Sequence, residues 1–431
     1  MKHFATYSRS NDCFPANCPS VFTSAKDCHV TAQDGREFID WGMSLRSVIL
    51  GYCNENVDNA VIKAIQKGIS FTRSNPYEEE LRELIRSIIP CAEEVKFGKN
   101  GSDATSAAIK LARAFTGRDI VLIAEENPFY SQHDWFIGTT SFNDGIPYCR
   151  ECNGTITKYS YNDLLIKTSD IWGREDTKVT RLEWLCEAFR PAAIILDAST
   201  VDITKEKLQY IRDLCTKHGV IMILDEVISG FRYGISGVQG LYGVTPDLCT
   251  LGKAMANGFS ISALCGKRDL MQLGDREYGN TFLMSGTYFS NTPDLAAGIA
   301  TIREIQQKGV IDHINNVGSI LCEYLQQAIY FYNMGDHVKF SPASRHCNPQ
   351  LTFSSMEIKT LFDQCMIELG ILMPYIAPSY SHGEQDEQQT IVATDYALGV
   401  CSSAIDEGNV KERLLNGHCE KPVFRKGGIK T

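Results

Sequence analysis

The stretch GVIMILDEVISGFRYGISGVQGLYGVTPDLCTLGKAM, Gly219 to Met255, sets the architecture expected of this chain. It begins with a short apolar run, Val220 to Leu224, which ends abruptly at Asp225 and Glu226. A short run rich in β-branched residues is typical of a strand buried in a parallel sheet. Acids that follow such a strand lie at its carboxyl end, where open α/β sheets bind their ligands.

Lys253 closes the same stretch among small residues. Taken singly, an acidic pair after a strand is more often a helix cap, and a lysine is usually a solvated surface charge. Pyridoxal phosphate needs both kinds of residue, because its aldehyde forms a Schiff base with a lysine and its pyridine nitrogen pairs with a carboxylate. Asp225 and Lys253 together therefore favour a site for this cofactor.

The whole stretch resembles the class III aminotransferases of fold type I, most closely the branch of glutamate-1-semialdehyde 2,1-aminomutase. The similarity implies a large α/β domain with a mostly parallel seven-stranded sheet flanked by helices, plus a smaller α+β domain. It also implies that Asp225 pairs with the pyridine nitrogen, that Val227 packs on one ring face and that Lys253 carries the Schiff base. The matching segments are Leu224–Val227, Gly230–Arg232, Gln239–Gly240, Gly243–Leu248 and Thr250–Lys253.

A phosphate needs backbone N–H donors, which a glycine-containing turn into a helix supplies. Lys99–Thr105 follows a short strand pattern and opens an apolar-periodic helix. The local residues alone leave open a capped helix without a ligand. Gly101–Asp119 resembles the phosphate-binding segment of the family, which implies that Gly101 and Ser102 bind the phosphate.

Ser285–Asn291 resembles a second phosphate-binding segment of the family, one that reaches the cofactor of the neighbouring subunit. The resemblance places this contact on Thr287. It therefore implies a homodimer in which the two subunits share their active sites.

Three aromatic residues that follow the strand pattern near Ile120 are further candidates for the site. The resemblance places Phe129 on the pyridine face opposite Val227, where an aromatic ring can stack. Tyr130 and His133 are candidates for the substrate pocket, although a histidine with a purely structural role is at least as common.

Arg46 stands where the family has a different residue. It could clamp a carboxylate or phosphate of the substrate, or it could pair with an acid for structural reasons.

The rest of the pattern predicts alternating strands and helices. Asp34-Gly35 between two alternating runs predicts a hairpin within residues 29–41. The alternation predicts a large domain at 56–300, with residues 1–55 contributing to a small domain at 301–431. Further segments are strands near 95–97, 119–124, 192–197 and 220–224; helices at 57–68, 77–89, 103–115, 205–218 and 301–332; and a solvated helix start at 384–389.

Composition narrows the range of partners. The 431 residues carry a formal net charge of −10 without a block of clustered Lys or Arg, which disfavours nucleic acid and anionic membranes. The absence of an apolar leader and of a long apolar run predicts a cytoplasmic protein. The 16 cysteines are scattered and predict buried, reduced thiols. Cys149 and Cys152 form a solitary CxxC, so no metal is expected.

The predicted function is amino transfer between a small amino donor and a carbonyl-bearing metabolite, through the Schiff base of Lys253. One alternative is a 2,1-aminomutase of the glutamate-1-semialdehyde type, which moves the amino group within one molecule. In that enzyme an N-terminal Arg contacts the substrate carboxylate, and the corresponding segment Phe14–Phe22 contains no Arg. A second alternative is a non-catalytic protein that binds pyridoxal phosphate.

Overall fold

The structure is a computed structural model, and it describes residues 9–124, 164–166, 181–199, 203–279, 281–341 and 343–421. The chain divides into two compact units. Of the described residues, the large unit contains those between 56 and 303, and the small unit combines residues 9–55 with those between 304 and 421. Among the described helices, none is long and apolar enough to cross a membrane.

The described residues form 13 strands and ten main helices. The strands are β1 Phe22–Lys26, β2 His29–Ala32, β3 Glu37–Asp40, β4 Glu94–Gly98, β5 Val121–Ala124, β6 Leu164–Ile166, β7 Ala193–Asp197, β8 Ile221–Glu226, β9 Leu248–Leu251, β10 Ser262–Gly266, β11 Val338–Phe340, β12 Leu351–Phe353 and β13 Ile371–Leu372. The main helices are α1 Glu55–Ile65, α2 Pro76–Ile88, α3 Gly101–Thr116, α4 Arg181–Phe189, α5 Lys205–His218, α6 Gly237–Tyr242, α7 Thr292–Lys308, α8 Val310–Phe331, α9 Met356–Glu368 and α10 Glu384–Asp406.

The sheet of the large unit has seven strands in the order β4-β10-β9-β8-β7-β5-β6. β10 is antiparallel to β4 and to β9, and the other neighbouring pairs are parallel. One described strand thus runs against the rest. The mostly parallel seven-stranded sheet implied by the resemblance is confirmed.

β8 lies inside this sheet and is buried along its whole length. β8 begins at Ile221, one residue after the start of the apolar run, and it continues through Asp225 and Glu226. Its register places Asp225 between Asp197 at the end of β7 and Thr250 near the end of β9. Because these strands are parallel, their carboxyl ends meet at one edge of the sheet.

The helices beside β8 have well-defined ends. Asn100 caps α3: its side chain accepts the N–H of Asp103, and the Asp103 carboxylate accepts the N–H of Asn100. α5 has the bounds predicted from the sequence, with Thr204 as its N-cap. Gly219 ends it in a left-handed conformation (φ 59°), which glycine adopts at little cost. The chain then enters β8.

The small unit has the predicted hairpin, β2 and β3, with Gly35 at φ 87° in the turn. Its four-stranded sheet has the order β1-β2-β3-β13, in which β13 is parallel to β3. Trp41 is fully buried in the core between this sheet and helices α8, α9 and α10, and its Nε1 donates to Thr390 Oγ1 at 2.8 Å. β11 and β12 form a separate two-stranded sheet.

One prediction about helices in the C-terminal part was wrong, and another was correct only in part. The single helix expected at 301–332 is two helices, α7 and α8, because Gly309 adopts φ 62° between them. The start of α10 is not wholly solvated, since Asp386 and Glu387 are 9% and 8% exposed. Asp386 is buried because it accepts the N–H of Gly383 at 2.9 Å and contacts His29 Nε2 at 3.1 Å.

Asp247 connects the amino-terminal part of β8 to α5 and to the residue that follows β10. Its carboxylate accepts hydrogen bonds from Arg212 Nη1 at 2.8 Å, Lys267 Nζ at 2.6 Å and the backbone N–H of Met222 at 2.8 Å. Burial alone raises the pKa of Asp247. The bonds from Lys267 and Met222 and the charge of Arg212 outweigh it and hold that pKa below its ordinary value.

We expect Asp247→Asn to lower the free energy of unfolding by about 2 kcal/mol near neutral pH, because two cations lose their buried partner. The folded-state pKa is depressed, so the difference should be largest above the pKa of an unfolded Asp and should disappear as acid protonates Asp247. Urea denaturation at several pH values measures it. Asp213→Asn, at an exposed position of α5, is the control and should change little.

Candidate active site

Asp225 and Glu226 end β8 and point to opposite faces of the sheet, because successive side chains of a strand alternate between the two faces. Asp225 Oδ1 accepts from the backbone N–H of Val227 at 3.0 Å and from Thr250 Oγ1 at 2.8 Å. Glu226 accepts from the N–H of Val238 at 2.5 Å and from Gln239 Nε2 at 3.0 Å. Glu226 thus holds the start of α6, and Asp225 faces the other side.

Glu226 is fully buried, and the space around it is tight. A Cβ on Gly237 would lie 2.1 Å from Glu226 Oε2. Burial, and next the charge of the Cys249 sulfur, raise the pKa of Glu226 to about 7. This acid is a structural partner of the segment after β8.

The carboxyl of Asp225 is 8% exposed. Burial raises its pKa, and the neighbouring charge of Asp197 raises it further. Hydrogen bonds from Val227 and Thr250 and the charge of Lys253 act in the opposite direction. Within the described part of the chain, the hydrogen bonds to Asp225 all go to Oδ1, so Oδ2 is the oxygen available to a ligand.

Val227 packs between two glycines that belong to different segments. A Cβ on Gly101, the first residue of α3, would lie 3.0 Å from Val227 Cγ1. A Cβ on Gly252 would lie 3.4 Å from the same atom. The start of α3, the segment after β8 and the segment after β9 therefore come together around the Val227 side chain.

Lys253 follows Gly252 and begins a short 3-10 turn, Lys253–Ala256. Its φ of 44° lies in the left-handed region, which costs a non-glycine residue on the order of 1 kcal/mol. The side chain is half-buried, and its charge acts on Asp225. Such strain persists only where the surroundings fix the backbone, which is common at functional sites.

These residues fit pyridoxal phosphate. Asp225 offers a buried carboxylate oxygen for a pyridine nitrogen, Lys253 offers an amine for an aldehyde, and Val227 offers an apolar surface for a ring face. The helix start at Gly101 and Ser102 offers N–H groups for a phosphate. The absence of a Cβ at Gly101 leaves room beside Val227 that an alanine would fill.

The other predicted site residues lie in varied places. Thr287 is exposed in the loop of residues 281–291. Arg46 belongs to the small unit, where its Nε donates to Asn348 Oδ1 at 2.8 Å and its guanidinium lies 4.5 Å from the centroid of the Tyr375 ring. Phe129, Tyr130, His133 and the pair Cys149 and Cys152 lie outside the described residues.

Sequence reasoning missed two residues beside Asp225. Thr250 hydrogen-bonds the carboxylate, and Asp197 lies in register with it on β7. Both occupy the last or next-to-last position of a strand next to β8. Aligning the strand ends in the sequence could have indicated them.

Two groups of side chains that could ligate a metal ion occur elsewhere among the described residues: Cys28, His29 and Asp386, and Glu183, Glu187 and His218. In each group an acid already has a partner. His29 Nε2 contacts Asp386 at 3.1 Å, and Lys217 Nζ donates to Glu183 at 2.6 Å.

Several known proteins are similar to this chain. Residues 15–339 match the family model of class III aminotransferases. The glutamate-1-semialdehyde 2,1-aminomutase of Methanococcus maripaludis strain C6 is 30% identical over 402 residues, which cover 88% of this chain and 91% of that protein. The 3-aminobutyryl-CoA aminotransferase of Cloacimonas acidaminovorans strain Evry is 30% identical over 404 residues, covering 89% and 90%.

Solved structures share the fold at lower identity. The FumI protein of Sphingopyxis sp. MTA144 has a TM-score of 0.80 at 22% identity, with 94% of both chains covered. A glutamate-1-semialdehyde aminomutase from Pseudomonas aeruginosa PAO1 has a TM-score of 0.78 at 17% identity, with 93% of this chain and 90% of that chain covered.

The fold, the grouping of an acid, a lysine and a helix start at the strand ends, and the family match over residues 15–339 agree. The chain belongs to the class III aminotransferases, enzymes of fold type I that use pyridoxal phosphate.

Proposed function

We propose that Asp225, Val227, Lys253, Gly101 and Ser102 hold the cofactor, and that the enzyme moves an amino group from a small donor to a separate carbonyl-bearing acceptor. The observation that carries this proposal is the buried carboxylate of Asp225, beside a lysine whose charge acts on it.

Each residue has a defined role. The Lys253 amine would hold the cofactor through its aldehyde and, once free, would move the proton at the reacting carbon of the substrate. When bound, the cofactor supplies an electron sink for that carbon. Asp225 holds a proton at the pyridine nitrogen, and Val227 orients the ring by packing against one face. The N–H groups of Gly101 and Ser102 bind the phosphate at the start of α3.

We favour transfer between two molecules over the mutase reaction because of the N-terminal segment. Phe14–Phe22 contains no Arg with which to hold a substrate carboxylate. In the small unit this segment lines a cavity of about 1050 Å³ whose wall includes Phe14, Val21 and Phe22. Arg46 is already bound to Asn348 and stacked on Tyr375, which supports a structural role for it.

We further propose a homodimer with shared sites. Its support is the loop of residues 281–291, where Thr287 is exposed beside two large side chains, Leu283 and Tyr288, which are 78% and 61% exposed. Exposed apolar side chains that form a contiguous patch are typical of an interaction surface. The cytoplasmic location also stays a proposal; the 14 described cysteines are free thiols, which suits a reducing compartment.

We expect Lys253→Ala to abolish covalent attachment of pyridoxal phosphate, because it removes the amine, and to leave the fold intact, because alanine keeps the Cβ and the side chain it shortens is only half-buried. Reduction with borohydride followed by mass spectrometry of the peptides tests this. Lys96→Ala, at an exposed position of β4, is the control and should keep the modified Lys253 peptide. A covalent adduct that survives in Lys253→Ala would refute the assignment.

Transfer between two molecules requires that a donor convert the whole enzyme to its amino-loaded form and leave as a separate carbonyl product. We expect an amino acid such as L-glutamate to do so in the absence of any acceptor, with one keto acid released for each site. Absorbance of the cofactor and assay of the keto acid measure both. Conversion by diamino or amino-aldehyde compounds alone would favour the mutase.

Sharing of sites can be tested with mixed dimers. Thr287→Asp should block phosphate binding by charge repulsion in the site that Thr287 serves, and Lys253→Ala blocks the site in its own chain. Each variant alone should be inactive. If Thr287 serves the partner subunit, random mixing should restore about a quarter of the sites, since half of the dimers then hold one intact site of two.

If Thr287 serves its own chain, or if the protein is a monomer, mixing should restore nothing. Thr281→Asp, at another exposed threonine of the same loop, is the matched control and should keep its activity.

A further inference from the structure

Two buried carboxyl groups lie side by side at the candidate site. Asp197 ends β7 and is 6% exposed, and its register partner on β8 is Asp225, which is 8% exposed. Neighbouring strands lie about 4.8 Å apart, and register partners in a parallel pair point to the same face of the sheet. The two carboxyl groups are therefore held close together by the backbone.

Among the described residues, neutral groups donate hydrogen bonds to the Oδ1 atom of each acid. Asp197 Oδ1 accepts from the N–H of Ser199 at 2.8 Å and from its Oγ at 2.7 Å. Asp225 Oδ1 accepts from Val227 and Thr250. Such bonds hold the carboxyl groups in place.

Within the part of the chain that the structure describes, the charged groups around Asp225 can be named element by element. β7 contributes Asp197, and the turn after β9 contributes Lys253. Glu226 follows on β8 itself but bonds on the opposite face, at the start of α6. Two carboxylates at this separation resist simultaneous ionisation, so one of them keeps its proton towards neutral pH. Consistent with this, burial and then the charge of Asp197 raise the pKa of Asp225.

We propose that Asp197 is a positioning residue that makes Asp225 a proton-carrying partner for the pyridine nitrogen, an inference that rests on the proposed function. Asp197 repels negative charge from Asp225, so the cofactor-free site takes up a proton before the ring arrives. It does not touch the ring itself and acts through Asp225.

The proton balance of binding follows. In the complex, one proton lies between the ring nitrogen and Asp225. On the acid side of neutrality the free site already holds a proton and the free ring nitrogen holds another, so binding releases one. At higher pH Asp225 is ionised, and that release stops. Without the charge of Asp197, Asp225 ionises at a lower pH, so the proton release also stops at a lower pH.

The test is calorimetric binding of pyridoxamine phosphate to the cofactor-free full chain, in two buffers of different ionisation enthalpy. This probe has no aldehyde, so Lys253 does not react with it, and its phosphate titrates alike in every variant. At about pH 6 the wild type should release up to about one proton more than Asp197→Asn, and at about pH 8 the two should agree. Between these values, acidification should weaken binding to the wild type by up to about tenfold per pH unit relative to the variant.

Controls separate charge from shape. Asp197→Glu keeps the charge and should behave as the wild type, whereas Asp197→Ser is a second neutral variant in case Asp197→Asn does not fold. Asp225→Asn removes the proton carrier and should also lose the extra release at about pH 6. Equal proton release by the wild type and both neutral variants would overturn the role of Asp197 while the cofactor assignment stands. A wild type that does not bind the probe would overturn the cofactor assignment, and this inference with it.

Discussion

Burial of Asp225 at the end of an interior strand is the constraint on which the site depends. A carboxyl group in this position must be held by hydrogen bonds, and the described partners are the backbone of Val227 and the hydroxyl of Thr250 on the next strand. Those partners are in place because β7, β8 and β9 are parallel and in register. The sheet thus fixes the position of Oδ1, and no described residue donates a hydrogen bond to Oδ2.

Glu226, which follows Asp225 on β8, has a structural role. Glu226 points to the opposite face and binds the start of α6, which ties down the chain that leaves β8. Gly237 makes this possible, because a side chain there would occupy the space of the carboxylate. With that segment anchored, Val227 packs against Gly101 and Gly252, and the three segments around the candidate ring position lie close together.

Much of the large unit could be predicted from the sequence because its signals are local. The apolar run before Asp225, the capped start of α3 and the periodicity of α5 each depend on nearby residues. The break at Gly309 could not be predicted in this way, because the apolar pattern continues on both sides of it. Burial of Asp386 depends on His29, far away in the sequence. Thr250 and Asp197 likewise become neighbours of Asp225 through strand register, which the residues alone do not specify.

The left-handed backbone at Lys253 has an evolutionary consequence. Glycine or asparagine would occupy this conformation with less strain, so selection for folding alone would replace the lysine. Under the role proposed for Lys253, the chain gives up some conformational stability at this position in exchange for a reactive amine. Relatives that have lost the chemistry would be released from this conflict, and drift at this position would record that loss earlier than changes in the surrounding core.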